Sequence, residues 1–142
     1  MALLHSTAQR NGTLAGVGPV MSAYNGGSLR IFGGTAPTSA DAVEPSAPLA
    51  VVPMPATLFP APIGGLLTAN TIPPQAATAA GTATWARLVT SADTGVAVTT
   101  TQPRIQGSVS VTGGGGDFQL STTAIVVSAL VSVTSLTYQH PN

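Results

Sequence analysis

Few side chains in this sequence could do chemistry, and its carboxylates are the first to consider. Asp41 and Glu44 are the one close pair of acidic residues, a spacing that general acid–base catalysis or a calcium site could use. They lie in a stretch of Pro, Ser and Ala, and a calcium ion takes about six or more oxygen ligands. We therefore predict a solvated or Arg-paired loop at this position.

The two histidines, His5 and His140, lie near opposite ends of the chain. Because the termini of one domain are often close in space, the pair could supply two ligands to a metal, but no third ligand is evident. The chain has no cysteine, which excludes disulfides, thiolate ligands and a cysteine nucleophile. It also lacks a Gly-x-Ser-x-Gly motif. We predict no catalytic residue, no metal site and no cofactor.

The glycine run at residues 113–116 and the scattered arginines complete the set of candidate sites. The run lacks the Gly-Lys-Ser/Thr ending of a phosphate loop and precedes a predicted strand, so we interpret it as a hairpin turn. Nucleic-acid binding requires clustered basic residues. The chain has four arginines, far apart in sequence, and no lysine, which argues against nucleic acid as a partner.

Charge is scarce throughout the sequence. Charged residues make up 6% of the chain and cancel to a formal net charge of zero, whereas soluble domains carry about 25%. A surface of Thr, Ser, Gly and Ala could keep such a chain soluble. Near-zero net charge also promotes association, and we favour the interpretation that much of the surface is covered by neighbours in an assembly.

Residues 1–142 are predicted to form a single domain. The sequence divides into three zones, and the first, residues 1–27, is the only one with a helical pattern. Ser6 or Thr7 is a suitable N-cap. A helical apolar stripe follows at Leu14, Val17, Val20, Met21 and Tyr24. Glycines at residues 26 and 27 predict the end of the helical segment, and a strand is expected at residues 28–32.

The second zone, residues 35–74, holds nine of the twelve prolines. Proline cannot donate to a sheet ladder, so we expect extended backbone with short edge strands at residues 49–52 and 65–68. The zone is too apolar for a free linker, and we predict that it is the partner interface. Its predicted anchors are Leu49, Val51, Val52, Met54, Leu58, Phe59 and Ile63. The rival interpretation is that these residues pack on the chain's own sheet.

The third zone, residues 79–142, is rich in Val, Ile and Thr, which favour strands. Strands are predicted at residues 82–89, 96–100, 105–111, 118–120, 124–127 and 129–138, with Trp85 in the core. The charge-free stretch 118–139 is long enough to span a membrane, but its repeated Ser and Thr favour strands, so no membrane is expected as a partner. A change of phase at residues 134–135 predicts a β-bulge. The whole pattern predicts a mainly β fold, an antiparallel β-sandwich or jelly roll.

Seven stretches, spread over most of the chain, resemble a family of small virion proteins of tailed bacteriophages. They are residues 28–37 (SLRIFGGTAP), 39–42 (SADA), 68–72 (TANTI), 81–88 (GTATWARL), 106–109 (QGSV), 117–122 (DFQLST) and 131–137 (VSVTSLT). Such proteins are similar to jelly-roll cement proteins, which decorate phage capsids and lock them.

The resemblance implies a structural, non-enzymatic protein on the capsid exterior, made in the cytoplasm of the bacterial host. The implied partners are the major capsid protein and further copies of this chain, as a dimer or trimer. A tail, neck or adaptor component of the same particle stays open as an alternative. So does a carbohydrate- or ligand-binding β-sandwich, which would need an exposed aromatic platform.

Overall fold

A computed structural model of the chain describes residues 3–14 and 20–139. The fold is mainly β, with 35% of residues in strands and 8% in helices, as the sequence predicted. Its elements in chain order are β1 (Leu4–His5), α1 (Thr7–Leu14), α2 (Val20–Ala23), β2 (Ser28–Phe32), β3 (Ala50–Pro53), β4 (Leu66–Thr68), β5 (Gln75–Ala76), β6 (Gly81–Thr82), β7 (Trp85–Val89), β8 (Arg104–Val111), β9 (Phe118–Leu120), β10 (Ala124–Ile125), β11 (Leu130–Val131) and β12 (Val133–Gln139).

Eight of the strands form one curled, mixed sheet in the order β3-β2-β7-β8-β9-β12-β4, with β1 pairing with β8 outside this path. Strands β10 and β6 form a small second sheet, and β11 and β5 a third. The predicted proline-zone strands appear as β3 and β4 at the two ends of the main path, where missing ladder donors cost least. Within the described ranges, no helix is long and apolar enough to cross a membrane.

The helical segment begins at the predicted cap. The Ser6 Oγ accepts a hydrogen bond from the Gln9 N–H at 3.1 Å, which satisfies one of the donors left free at a helix start. After α2, Gly26 adopts a φ of 65°, and the Gly27 N–H bonds the Tyr24 carbonyl at 3.0 Å, as expected for a helix end. Residues 15–19, including Val17, lie outside the described residues.

The predicted return strand at residues 96–100 is wrong, because β7 pairs directly with β8 and residues 90–103 form a loop between them. Backbone groups of this loop bond elsewhere. The Val96 carbonyl accepts from the Glu44 N–H at 3.2 Å, and the Thr99 N–H donates to the Asp41 carbonyl at 3.0 Å. The loop therefore pairs with the segment around residues 41–44 and leaves the β7 edge to β8.

The predicted hairpin at residues 113–116 is also wrong, because β8 and β9 are parallel, with Val109 opposite Phe118 and Val111 opposite Leu120. The sheet is therefore mixed, not wholly antiparallel. Gly113 and Gly115 both adopt a φ of 81°, which side chains other than glycine rarely allow. This freedom lets the loop reverse the chain and then return alongside β8.

The last strand carries the predicted irregularity. Its pairing with β9 shifts register between Val133 and Ser135, which confirms the β-bulge. As a result Leu136 and Tyr138 face the core after the shift, with 4% and 9% of their surface exposed. Between residues 118 and 139 the chain forms four strands, β9 to β12, separated by short loops and turns, so the prediction of strands in this stretch is confirmed.

The central strands β2, β7 and β8 are covered on both faces. On one face, cross-strand neighbours such as Leu29, Leu88 and Ile105 form the apolar core. Burial of each such side chain contributes about 1.5–3 kcal/mol relative to exposure. On the other face Trp85 stacks on Phe32 with ring centroids 4.2 Å apart and is 1% exposed, which confirms its predicted core position.

Candidate interaction surface

The predicted anchors of the proline-rich zone divide into buried and accessible side chains. Five are in the chain's own core: Leu49, Val52, Met54, Leu58 and Phe59. Of the other two, Val51 is half-buried and Ile63 is 85% exposed. A side chain already enclosed by its own domain offers no surface to a partner. These five side chains are therefore enclosed in this conformation, as the rival packing interpretation describes, and the role of the zone as a partner interface stays a prediction.

Hydrogen bonds show why this zone packs inward. Val52 pairs with Leu29 across the β3–β2 ladder. Further along, the Leu58 N–H donates to the Asn25 Oδ1 at 2.9 Å, and the Leu58 carbonyl accepts from the Asn70 N–H at 2.8 Å. Since buried backbone groups need partners, these bonds let the extended zone bury its apolar side chains. The sequence showed the apolar residues but gave no sign of these partners.

The charged side chains lie mainly on the face of β2, β7 and β8 that turns away from the apolar core. There Arg30 makes a two-fold ion pair with Glu44, with Nε to Oε1 at 2.5 Å and Nη2 to Oε2 at 2.9 Å. Arg104 pairs in the same way with Asp93, at 2.6 Å and 2.9 Å. The two carboxylates come from the loops at residues 35–48 and 90–103, so the pairs fix both loops to the sheet.

Arg87 lies between these pairs and is fully buried. Its guanidinium donates twice to the Gln106 Oε1, at 2.7 Å and 3.2 Å, and once to the Ala42 carbonyl at 2.8 Å. Burial, followed by the positive charge of Arg104, lowers the pKa of Arg87 to about 10. The group therefore stays charged at neutral pH and is satisfied by neutral acceptors.

The remaining acids also have internal roles. Asp41 accepts from the Thr7 N–H at 2.9 Å at the start of α1, and Asp117 accepts from the Ser108 N–H and Oγ, both at 2.8 Å. The prediction of an Arg-paired loop is confirmed for Glu44. Of the eight charged side chains, Arg10 is the one that is exposed. The folded surface is therefore even poorer in charge than the sequence.

The surface exposes large aliphatic side chains in two groups. One group, the loop patch, consists of Val43, Val96 and Val98, with 55%, 51% and 69% of their surfaces exposed. They come from two loops joined by the bond between the Glu44 N–H and the Val96 carbonyl. This patch was missed from the sequence because residues 96–100 were assigned to a strand.

A second group, the turn patch, consists of Val126, Val127 and Leu130, with 61%, 52% and 63% of their surfaces exposed. The turn is closed by the Ala129 N–H bonding the Val126 carbonyl at 3.0 Å, and Ser128 adopts a φ of 66°. The turn interrupts the strand predicted at residues 124–127 after Ile125, so both valines leave the sheet. Contiguous exposed apolar patches on soluble proteins often mark interaction sites.

A cleft of about 450 Å³ opens between β1 and the end of β12, lined by His5, Asp117 and Tyr138 among others. The His5 and Tyr138 rings lie 5.5 Å apart. Burial, reinforced by the charge of Arg10, lowers the pKa of His5 below its ordinary value. His140 lies outside the described residues, so the two-histidine site stays untested. Within the described part of the chain, no three His, Cys, Asp or Glu residues gather where they could hold a metal.

Comparisons with known proteins identify no relative: no family model, no curated protein and no solved structure matches the chain. Function must therefore be inferred from the chain's own residues and their arrangement.

Proposed function

We propose that this protein is a structural, non-enzymatic subunit of a tailed-phage particle. In this proposal it binds the outside of the capsid as a cement protein. Its partners would be the major capsid protein and further copies of itself, in a dimer or trimer. The finer architecture expected of such proteins, a β-sandwich or jelly roll, belongs to the same proposal. The resemblance of seven sequence stretches to small virion proteins supports the assignment to a phage particle and the location on its exterior.

The single observation that carries the proposal is the lack of exposed charge. Arg10 is the one exposed charged side chain, while the loop patch and the turn patch display six large aliphatic residues. A free monomer with such a surface has little electrostatic repulsion to keep copies apart. The same surface suits a protein that is covered by neighbours for most of its life.

The energetics of attachment follow from these patches. Fully burying a Val or Leu side chain contributes about 1.5–3 kcal/mol relative to full exposure, and these six are a little over half exposed. Six such contacts offset only part of the entropic cost of association. A repeated lattice compensates, because each copy contacts several neighbours at once and the effects multiply. Weak single contacts are therefore sufficient on a capsid.

Copy number tests the proposal. Phage particles are purified from the producing bacteria, and this protein is quantified against the major capsid protein by mass spectrometry with isotope-labelled standards. A cement protein should be present in a fixed ratio to the major capsid protein, with a copy number of the same order as that of the shell subunits. Imaging should place it over the whole shell. A copy number that matches a single ring of subunits would contradict the cement role and support the neck or tail role. Absence from the particles would contradict both.

A further inference from the structure

The last three residues of β12, Thr137 to Gln139, are paired on one side only. Pairing with β9 ends at Leu136, while residues Thr137 to Gln139 pair with β4. The Leu136 carbonyl accepts from the Ala69 N–H on the β4 side at 2.9 Å. Because successive residues of a strand direct their backbone groups to opposite sides, Thr137 and Gln139 present theirs to the side away from β4. No described strand pairs with them there.

The chain before β9 explains why this edge is unpaired. If the ladder continued, Asp117 would lie opposite Thr137. Instead the Gly116 N–H donates to the Ser110 Oγ at 2.9 Å, and the Asp117 N–H donates to the Ser108 Oγ at 3.2 Å. These bonds draw the segment onto β8 and away from β12. The cleft lies where the continued strand would have been.

Asp117 is held in the cleft by close packing. A Cβ atom at Gly107 would lie 2.8 Å from both the Asp117 Cβ and the Leu3 Cδ2, so only glycine allows this approach. The Asp117 Oδ2 accepts from Ser108, whereas no described residue donates to its Oδ1. The carboxylate therefore keeps one acceptor atom for a further donor.

The opposite wall carries a second unsatisfied group. β1 pairs with β8 alone, and its His5 lines the cleft. The His5 Nε2 is buried and has no hydrogen-bond partner among the described residues. A buried polar atom without a partner destabilises the folded chain. A bound group that reached Nε2 would recover this free energy.

We propose that this cleft binds an extended segment of a partner protein, which adds as a strand along Thr137 to Gln139 and places a lysine or arginine on Asp117. An unpaired strand edge is the usual template for such addition. The residues that line the cleft include one carboxylate, Asp117, and no lysine or arginine, and the pKa of His5 is lowered, so charge complementarity selects a basic residue. The proposal concerns a different surface from the two aliphatic patches and does not depend on the capsid role.

The probe is a library of random peptides of about eight residues, a length within the usual range of strands. The library is displayed on messenger RNA and selected on the full chain, with Asp117→Asn protein as the counter-selection. Enriched peptides should contain Lys or Arg within an alternating, β-branched sequence and lack a central proline. The most enriched peptide is then carried into binding measurements by fluorescence anisotropy. Failure of any peptide to enrich would overturn the proposal.

The charge contact is tested from both sides. Asp117→Asn keeps an oxygen acceptor for Ser108 but removes the charge, and should weaken binding about ten- to a hundredfold. Norleucine in place of the peptide's basic residue leaves the protein unaltered and should weaken it similarly. The two changes together should cost little more than either alone. Leu130→Ser, in the turn patch, is the control and should leave affinity unchanged.

Amide exchange distinguishes strand addition from other binding. In the peptide complex, hydrogen exchange should slow at Thr137 and Gln139, whose N–H groups face the cleft, and change little at Tyr138, which faces β4. Binding that is equal for the Asp117→Asn protein, or that slows exchange only at other residues, would overturn the proposal. If the protein proved to be absent from phage particles, the proposed function would fail, but the outcome of this peptide-binding test would not change.

Discussion

Arg104 and Asp93 form an ion pair that is almost wholly enclosed. The two side chains are 1% and 5% exposed, and two hydrogen bonds of 2.6 Å and 2.9 Å join them. Arg104 also donates from Nη2 to the Ala97 carbonyl at 2.9 Å. The pair therefore fixes the loop at residues 90–103, including Val96 and Val98 of the loop patch, against the sheet.

Loss of the Asp93 carboxylate should destabilise the fold strongly. Asp93→Ala leaves the buried Arg104 guanidinium without its counter-charge, and removing one partner of a buried pair costs about 3–5 kcal/mol. Urea unfolding of the isolated chain measures the change in free energy. Arg10→Ala, which alters the exposed arginine, is the matched control and should leave the midpoint unchanged. Equal midpoints for both variants would show that the Asp93 pair is not a stabilising contact.

Acid should weaken the same contact. Burial alone would raise the pKa of the Asp93 carboxyl, but hydrogen bonds from Arg104 and from the Gly95 N–H outweigh this and hold the pKa below its ordinary value of 3.8. The folded state thus binds this proton less readily than the unfolded chain. Its contribution is complete above the unfolded pKa and is lost as the pH falls through the folded one. The free energy of unfolding should fall below about pH 3.8, and fall less in Asp93→Asn. A parallel fall in both proteins would contradict this assignment.

His5 should produce a separate pH dependence nearer neutrality. Burial, followed by the charge of Arg10, lowers its pKa from 6.5, so the unfolded chain takes up the proton at a higher pH than the folded one. Stability is then greatest above pH 6.5 and declines as the pH drops through the ordinary value towards the folded one. Thermal unfolding between about pH 7.5 and 5 measures the decline. His5→Gln should remove this part of the pH dependence, and an identical profile for the variant would count against it.

Two residues of the proline-rich zone should respond oppositely to truncation. Leu58 is fully buried and Ile63 is 85% exposed. Leu58→Ala should therefore cost about 2–5 kcal/mol, because it removes apolar contacts and leaves a cavity. Ile63→Ala should change stability by no more than about 0.5 kcal/mol. Urea unfolding of the isolated chain measures both changes. If Leu58→Ala left the free energy of unfolding unchanged, the proline-rich zone would not be part of the core and would be free to serve as a partner interface.

Local patterns predicted much of the fold because they act over a few residues. The Ser6 cap, the strand at residues 28–32 and the bulge near Ser135 each follow from short-range chemistry. The strand proposed at residues 96–100 failed because its backbone bonds a loop distant in sequence. The parallel return of β9 also escaped prediction, since a glycine run permits several turns, and bonds to the Ser108, Ser110 and Gln119 side chains select this one.

The interaction surface was harder to predict than the fold. Composition indicated a surface poor in charge, but the sequence placed the anchors in the proline-rich zone, where apolar residues were most frequent. Whether an apolar residue faces the core or a partner depends on contacts made across the whole chain. Leu58 and Val126 are both aliphatic residues, yet the Leu58 side chain is fully buried and Val126 is 61% exposed.

The central claim is that the protein attaches to a particle through uncharged, aliphatic surfaces. The most direct measurement is the fraction of this protein that stays on purified phage particles after washing in about 1 M sodium chloride, where the screening length falls to about 3 Å. Apolar contacts do not weaken under these conditions, so we expect the protein to stay attached and to be released instead by mild urea. Release by salt alone would contradict the claim.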